Sequence, residues 1–299
     1  HRESRGISAS RRHKRHEPVS NTLKFLAVRR DNRFSPNSVE HDRLILMAAC
    51  KRVKALTGLK TDIPMIDESE FVQRPVDAEC ILTMARSKQT LKALVRLEQS
   101  GRHVINATTG VKNCQRSVLD KLMRTNNVPM PPTKEGHGYW LKRGDAAAQS
   151  KADVVYCEDK AALLDAENDF RSRGISDMVV SAHVPGDLIK FYAVGSTMFQ
   201  YYYPSDDGIS KFGDELRNGR AHHYAFDSAA LHREVARLAE ITGVSVYGGD
   251  AVVGKDGRFY IIDFNDWPSF SRCRDEAAEA IAQLAVASIA SKSYNVGEE

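Results

Sequence analysis

Cysteine is sparse and unpaired in this chain: Cys50, Cys80, Cys114, Cys157 and Cys273 are scattered, and no two form a CxxC pair. That spacing excludes a cysteine-based zinc module and a disulfide framework, and predicts a reducing, cytoplasmic setting. Glycine fingerprints are missing as well. No GxGxxG follows the first apolar strand and no GxxxxGK[ST] occurs anywhere, so the dinucleotide-binding and phosphate-loop signatures are both absent. No apolar run reaches the length of a membrane span, the first residues lack the apolar core of a signal peptide, and there is no internal repeat.

What is present is the composition of a water-soluble globular chain: 299 residues, 42% of them hydrophobic, with both charge signs well represented. That length calls for two or three subdomains rather than one small core. The net charge of +4 is concentrated in the opening stretch HRESRGISASRRHKRH, leaving the body near neutral. Residues 1–21 have too few apolar groups to order themselves and are expected to form a disordered basic tail, with at most non-specific contact to nucleic acid. Charge elsewhere gives no reason to infer nucleic-acid binding.

From residue 22 the pattern alternates. LKFLAVRR, ECILTMAR and HVINA read as strands, separated by the helices over NSVEHDRLILMAACKRVKAL and SKQTLKALVRLEQSG; strand–helix alternation predicts a parallel α/β layer over about 22–107. The character then changes. The helix SVLDKLMRTNN and the Pro-rich link VPMPPT precede two β segments around HGYWLKRGD and ADVVYCED, then a helix over KAALLDAENDFRSRG. DMVVSAHVPGDLIKFYAVGSTMFQYYYP reads as two strands with a turn at Pro185 and Gly186. A basic loop, a helix over SAALHREVARLAEITG, a hairpin turned at 255–257 and a last helix complete the chain.

The end of that hairpin, IIDFNDWPSF, raises a chemical question. Asp, Asn, Pro and Ser make turns, yet Asp263 and Asn265 occupy alternate positions of a strand and so project to one face, where two oxygen ligands could share a hard cation. A hairpin would bring Asp250 beside Asp263, which a simple turn would not require. Lys142, inside the apolar YWLKR strand, needs an anionic partner or a path to water, because a lone buried ammonium is costly.

This order of parts resembles the ATP-grasp superfamily, in which an N-terminal α/β domain precedes two α+β lobes that clamp ATP between antiparallel sheets. The resemblance covers everything after residue 22 and implies a central lobe over 108–180 and a C-terminal lobe over 181–299 that carries the metal site. It implies ATP as nucleotide and Mg²⁺, with Mn²⁺ as a second candidate, on Asp250, Asp263 and Asn265. For the nucleotide it implies Arg116, Lys142, Ser150, the hinge Ala182–His183–Val184, and Asp187. The sequence departs from the superfamily at the hinge, where Ser181 and Ala182 replace a common Gln-Glu pair, and in the lid GDAAAQSKAD, which has one glycine.

Two chemistries share this clamp. The chain resembles the inositol trisphosphate 5/6-kinases in Lys190, in the Asp-x-Asn strand end and in a basic loop whose Lys211, Arg220, His222 and His223 suit an anionic substrate. Its N-terminal region and FGDELRNGR, with Arg217, resemble the glutathione synthetase and ribosomal-protein glutamate ligase group. The details favour γ-phosphoryl transfer to a hydroxyl of an inositol-phosphate-like polyol, with Lys190 and Arg217 as catalytic residues. The alternative is a carboxylate–amine ligase working through an acyl phosphate, and a non-catalytic ATP-binding relic is a third reading. Acceptor identity and oligomeric state are not encoded in any motif.

Overall fold

The computed structural model describes residues 23–134, 136–145, 151–208 and 215–295. The expected basic tail, Ser150 and Lys211 lie outside those residues.

The first layer follows the alternation read from the sequence. β1 (Leu23–Arg29), α1 (Val39–Thr57), β2 (Met65–Asp67), α2 (Glu68–Gln73), β3 (Ala78–Thr83), α3 (Lys88–Gln99) and β4 (His103–Ile105) succeed one another. The strands run parallel in the order β2-β1-β3-β4. Phe25, Leu26, Ala27 and Val28 are all buried in succession, which is why β1 reads as a continuous apolar run: both faces of a parallel sheet are covered. β2 and α2 were not foreseen, since three strand residues and six helix residues are too few to establish a period.

After α4 (Thr108–Asn113) and α5 (Arg116–Thr125), β5 (Tyr139–Arg143), β6 (Val154–Cys157), α6 (Lys160–Ser172) and β7 (Met178–Ala182) build an antiparallel sheet of order β6-β5-β7. Alternation along β5 buries Leu141 with Cys157, Phe170 and Ile175 beneath α6, so Trp140 and Lys142 project from the opposite face.

β8 (Asp187–Val194), β9 (Met198–Tyr202), α7 (Glu215–Asn218), α8 (Ser228–Thr242), β10 (Val246–Val253) and β11 (Phe259–Asp266) supply the third sheet, antiparallel and ordered β11-β10-β8-β9. Here the sequence reading is corrected. The stretch 177–204 holds three strands, not two, with the β8–β9 turn at Gly195 (φ +56°). Pro185–Gly186 closes no hairpin but carries the chain from one sheet to another. Period-two alternation marks a strand without naming its partner, so the two cases look alike in sequence.

α9 (Arg274–Asn295) packs back on α1. One core therefore joins Ile45, Leu46 and Leu82 of the first layer to Val194 and Val246 of the third sheet and to Trp267, Phe270 and Ile281. Among the described residues no helix is long and apolar enough to cross a membrane.

Candidate active site

The register of the third sheet answers the question posed by IIDFNDWPSF. Asp250 of β10 lies directly opposite Asp263 of β11, with a bulge immediately after Asp250, and on its other side Asp250 faces Lys190 of β8. Opposite residues of an antiparallel pair share a face, so Lys190, Asp250 and Asp263 form one row across three strands. Asn265 joins Asp263 on that face by alternation. The strand continues through Asp266, and the turn begins only at Trp267 (φ +42°). The close fit of β10 to β11 depends on Gly249. A Cβ there would stand 2.1 Å from the carbonyl oxygen of Asp263, so any larger residue would displace the backbone of Asp263 itself.

Asp263 and Asn265 open onto a cleft of about 980 Å³, near the upper end for small-molecule sites. Across it stand Arg116 at the start of α5, Lys142 on β5, and Val179 and Ser181 on β7. Burial opposes ionisation of Asp263. The charges of Arg116 and Lys142 and the hydrogen bonds from Asn265 and the Phe264 amide (3.0 Å to Oδ1) outweigh it, and the carboxyl is held below the ordinary carboxylate range. Arg116 is steadied by donating Nη1 to the Arg143 carbonyl at 3.1 Å. The wall thus holds two fixed cations facing a carboxylate and an amide. That donor set suits Mg²⁺ only together with oxygens from a ligand, since the ion prefers one or two carboxylates plus phosphate and water.

Other expected residues fall elsewhere. Asp187 is buried, and its oxygens accept from the amides of His222 at 2.6 Å and Tyr224 at 2.8 Å; it holds the loop and does not line the cleft. At the hinge, the amides of Ala182 and His183 already donate to Pro132 and Gly138, and His183 Nδ1 accepts from Trp140 Nε1 at 3.1 Å. The hinge expectation therefore narrows to its carbonyls and to Val184. Arg217 stacks over the Tyr156 ring with its Cζ 3.2 Å from the centroid. His223 contacts Asp206 Oδ1 at 2.9 Å and packs on Tyr203, and His222 stacks on Tyr224. Arg217, Arg220, His222 and His223 do not line the cleft, and Lys190 and Asp250 lie in the strand row beside its wall.

Sequence reasoning missed the device that holds the far end of β11. Arg30, buried just past β1, donates Nε to the Met84 carbonyl at 3.0 Å. Its other nitrogens reach Asp42 (3.3 Å), the Trp267 carbonyl (3.1 Å) and Asp266 (3.4 Å). Burial lowers its pKa to about 10, the neighbouring charge of Arg86 adds to this, and Asp266 and Asp42 oppose it. Arg86 grips Asp266 from the cleft side, Nε to Oδ2 at 3.4 Å and Nη2 to the carbonyl oxygen at 3.1 Å. Glu68, fully buried, accepts from the amides of Asp31, Arg86 and Ser87, so one carboxylate sets the loops after both β1 and β3. The only signal available beforehand was charge placed directly after an apolar strand, in AVRRD.

The fold with its cleft between two antiparallel sheets, behind a parallel layer, is that of the ATP-grasp proteins. The structure of PsnB, an ATP-grasp ligase solved with a minimal precursor, superposes with a TM-score of 0.57 at 13% identity, covering 89% of this chain and 99% of that one. D-alanine–D-alanine ligase from Bacillus anthracis, solved with ATP, gives 0.59 at 12% over 90% and 98%. A RimK domain protein of the ATP-grasp type from Sphaerobacter thermophilus gives 0.59 at 16% over 88% and 99%. No protein-family model matches the chain, and no curated protein matches it.

Proposed function

We propose that this protein is a Mg²⁺-dependent ATP-grasp ligase that activates a carboxylate as an acyl phosphate and joins it to an amine. The observation that carries the reading is the cleft wall in which Arg116 and Lys142 face Asp263 and Asn265. Such a wall answers the needs of a polyphosphate: fixed cations on one side and hard oxygen donors on the other. Arg116 and Lys142 bind and orient the phosphates. Asp263, kept ionised, and Asn265 would hold the ion, with Asp250 beside them in the strand row. When bound, Mg²⁺ supplies neutralisation of the phosphate charge.

The chain's task is then positioning. An acceptor carboxylate oxygen attacks the γ-phosphorus as the bond to the ADP oxygen breaks. An amine nitrogen next attacks the acyl carbon, phosphate departs, and the amine loses its proton. The ligase reading is favoured over phosphoryl transfer to a phosphorylated polyol for a specific reason. Of the basic-loop residues that argued for the polyol, Arg220, His222 and His223 are absent from the cleft wall, and Lys211 lies outside the described residues. Two of the structural neighbours named above, PsnB and D-alanine–D-alanine ligase, are ligases by name, which agrees with the choice.

Hydroxylamine trapping tests it. ATP, Mg²⁺ and a panel of carboxylic acids should yield ADP, phosphate and a hydroxamate only when the right acid is present. A stable phosphoester instead of a hydroxamate would overturn the ligase and restore the kinase.

A further inference from the structure

The cleft is larger than Arg116, Lys142, Asp263 and Asn265 can use, and its remaining wall is basic. Arg33, Arg86, Lys88 and Lys112 line it from the parallel layer, in addition to Arg116 and Lys142. Four aspartates share the wall, but three are engaged elsewhere. Asp120 is bound by Arg124 at 3.0 Å, Asp145 by Arg143 at 2.6 Å, and Asp266 by Arg30 and Arg86. The fourth is Asp263. Arg33 meets Asp31 only at 3.9 Å in an exposed pair, and Lys88 and Lys112 form no ion pair among the described residues. Arg86 is the anchored member: Asp266 holds its Nε and Nη2 and leaves the rest of the guanidinium on the cleft.

These side chains come from the segments that leave the carboxyl ends of β1 and β3 and from the helix after β4. In open parallel sheets that edge is where ligands bind. Among the described residues the cations there outnumber the carboxylates that meet them, so the natural complement of the excess is a charge on the ligand.

We infer that the acceptor carries a second anionic group besides the carboxylate that reacts, seated against Arg33, Arg86, Lys88 and Lys112. The acceptor is thus a diacid. The inference rests on the proposed ligase reading for which group reacts, but the subsite itself can be measured without turnover. Arg86 fixes the position of the anion, because its guanidinium is held in place before the ligand arrives. The three exposed cations add attraction that salt screens.

The test uses the full chain, loaded with Mg²⁺ and a non-hydrolysable ATP analogue, and ligand-observed NMR titration with glutarate and with butyrate. Glutarate should bind at least about tenfold more tightly, the scale of one charge-assisted contact. The preference should fall several-fold in the Arg33→Ala/Lys88→Ala/Lys112→Ala variant, which keeps Arg86 alone, and at about 0.5 M salt, where screening acts within a few ångströms. These residues are exposed, so the variant is expected to fold, and unchanged affinity for the ATP analogue is the control. Equal binding of the two acids, or a preference that is undiminished in the variant, overturns the subsite. So does a failure of both acids to bind while the analogue binds, a result that leaves the nucleotide reading standing. Glutarate preference without analogue binding supports the subsite and overturns the nucleotide reading instead. A third acid, 4-phosphonobutyrate, separates the sources: it outbinds glutarate if the second anion is a phosphate, and falls level or below if it is a carboxylate.

Discussion

Two charged segments of this chain look equally eligible for chemistry, and the fold treats them in opposite ways. The end of β11, Asp263 to Asp266, becomes the wall of the cleft. The basic segment from Arg217 to His223 folds against its own neighbours, onto Tyr156, Asp206, Tyr203 and the buried Asp187. The difference lies in what fixes each side chain. On β11 the backbone is held by register with Asp250 and by the two arginines on Asp266, so alternation alone decides where Asp263 and Asn265 point. The basic segment has only the four-residue α7 as regular structure, and its cations turn to the nearest ring or carboxylate.

The largest way to break the comparison is to free the end of β11. Arg30→Ala leaves Asp42 and Asp266 buried without their shared partner, and the loss of a buried charge partner typically costs about 3–5 kcal/mol. Chemical denaturation should show that loss as a lower midpoint. Next comes Asp263→Ala, which keeps the strand but removes the charged oxygen donor. ADP formation at saturating Mg²⁺ should fall on the order of 100-fold or more, with circular dichroism unchanged. A rate near wild type would return IIDFNDWPSF to the status of a strand end with no chemistry.

Lys142→Ala tests the opposite wall. Affinity for a non-hydrolysable ATP analogue should drop by about 1–3 kcal/mol, the scale of a charge-assisted hydrogen bond, and calorimetry reads it directly. The smallest effect belongs to the other segment. Arg217→Ala removes an exposed cation–π contact worth about 0.5–1 kcal/mol and should leave ADP formation within about twofold, a difference of under 0.5 kcal/mol in the barrier. A large kcat defect in this variant would mean that Arg217 reaches the cleft during turnover and would erase the contrast between the two segments.

Much of the architecture was legible because it is periodic. The alternation over 22–107, the hairpin at 255–257 and the capped helices each leave a repeated signature in residues close in sequence. Gly257 in the left-handed region (φ +82°) turns the hairpin as expected. What stayed hidden was non-local. Nothing in SAHVPGD tells that β7 and β8 belong to different sheets, because a period-two pattern is the same whichever strand lies alongside. Arg30 and Arg86 stand 236 and 180 residues from Asp266, and no spacing rule connects them.

The sequence by itself determined that Asp263 and Asn265 would share a face and that Asp250 would stand beside them, since alternation and a short hairpin are local geometry. It also determined that Lys142, inside an apolar strand, would need an anionic partner or a path to water. Only the tertiary structure decided which charges meet in the cleft. Arg116 and Lys142 face Asp263 because two sheets close on one another, Arg86 and Lys88 enter because the edge of a parallel layer abuts the end of β11, and Asp187 withdraws because burial gives its oxygens two amides to bind. Charge can be read from a residue's name, but whether it is offered to a ligand depends on which partners the folded chain brings within hydrogen-bond reach.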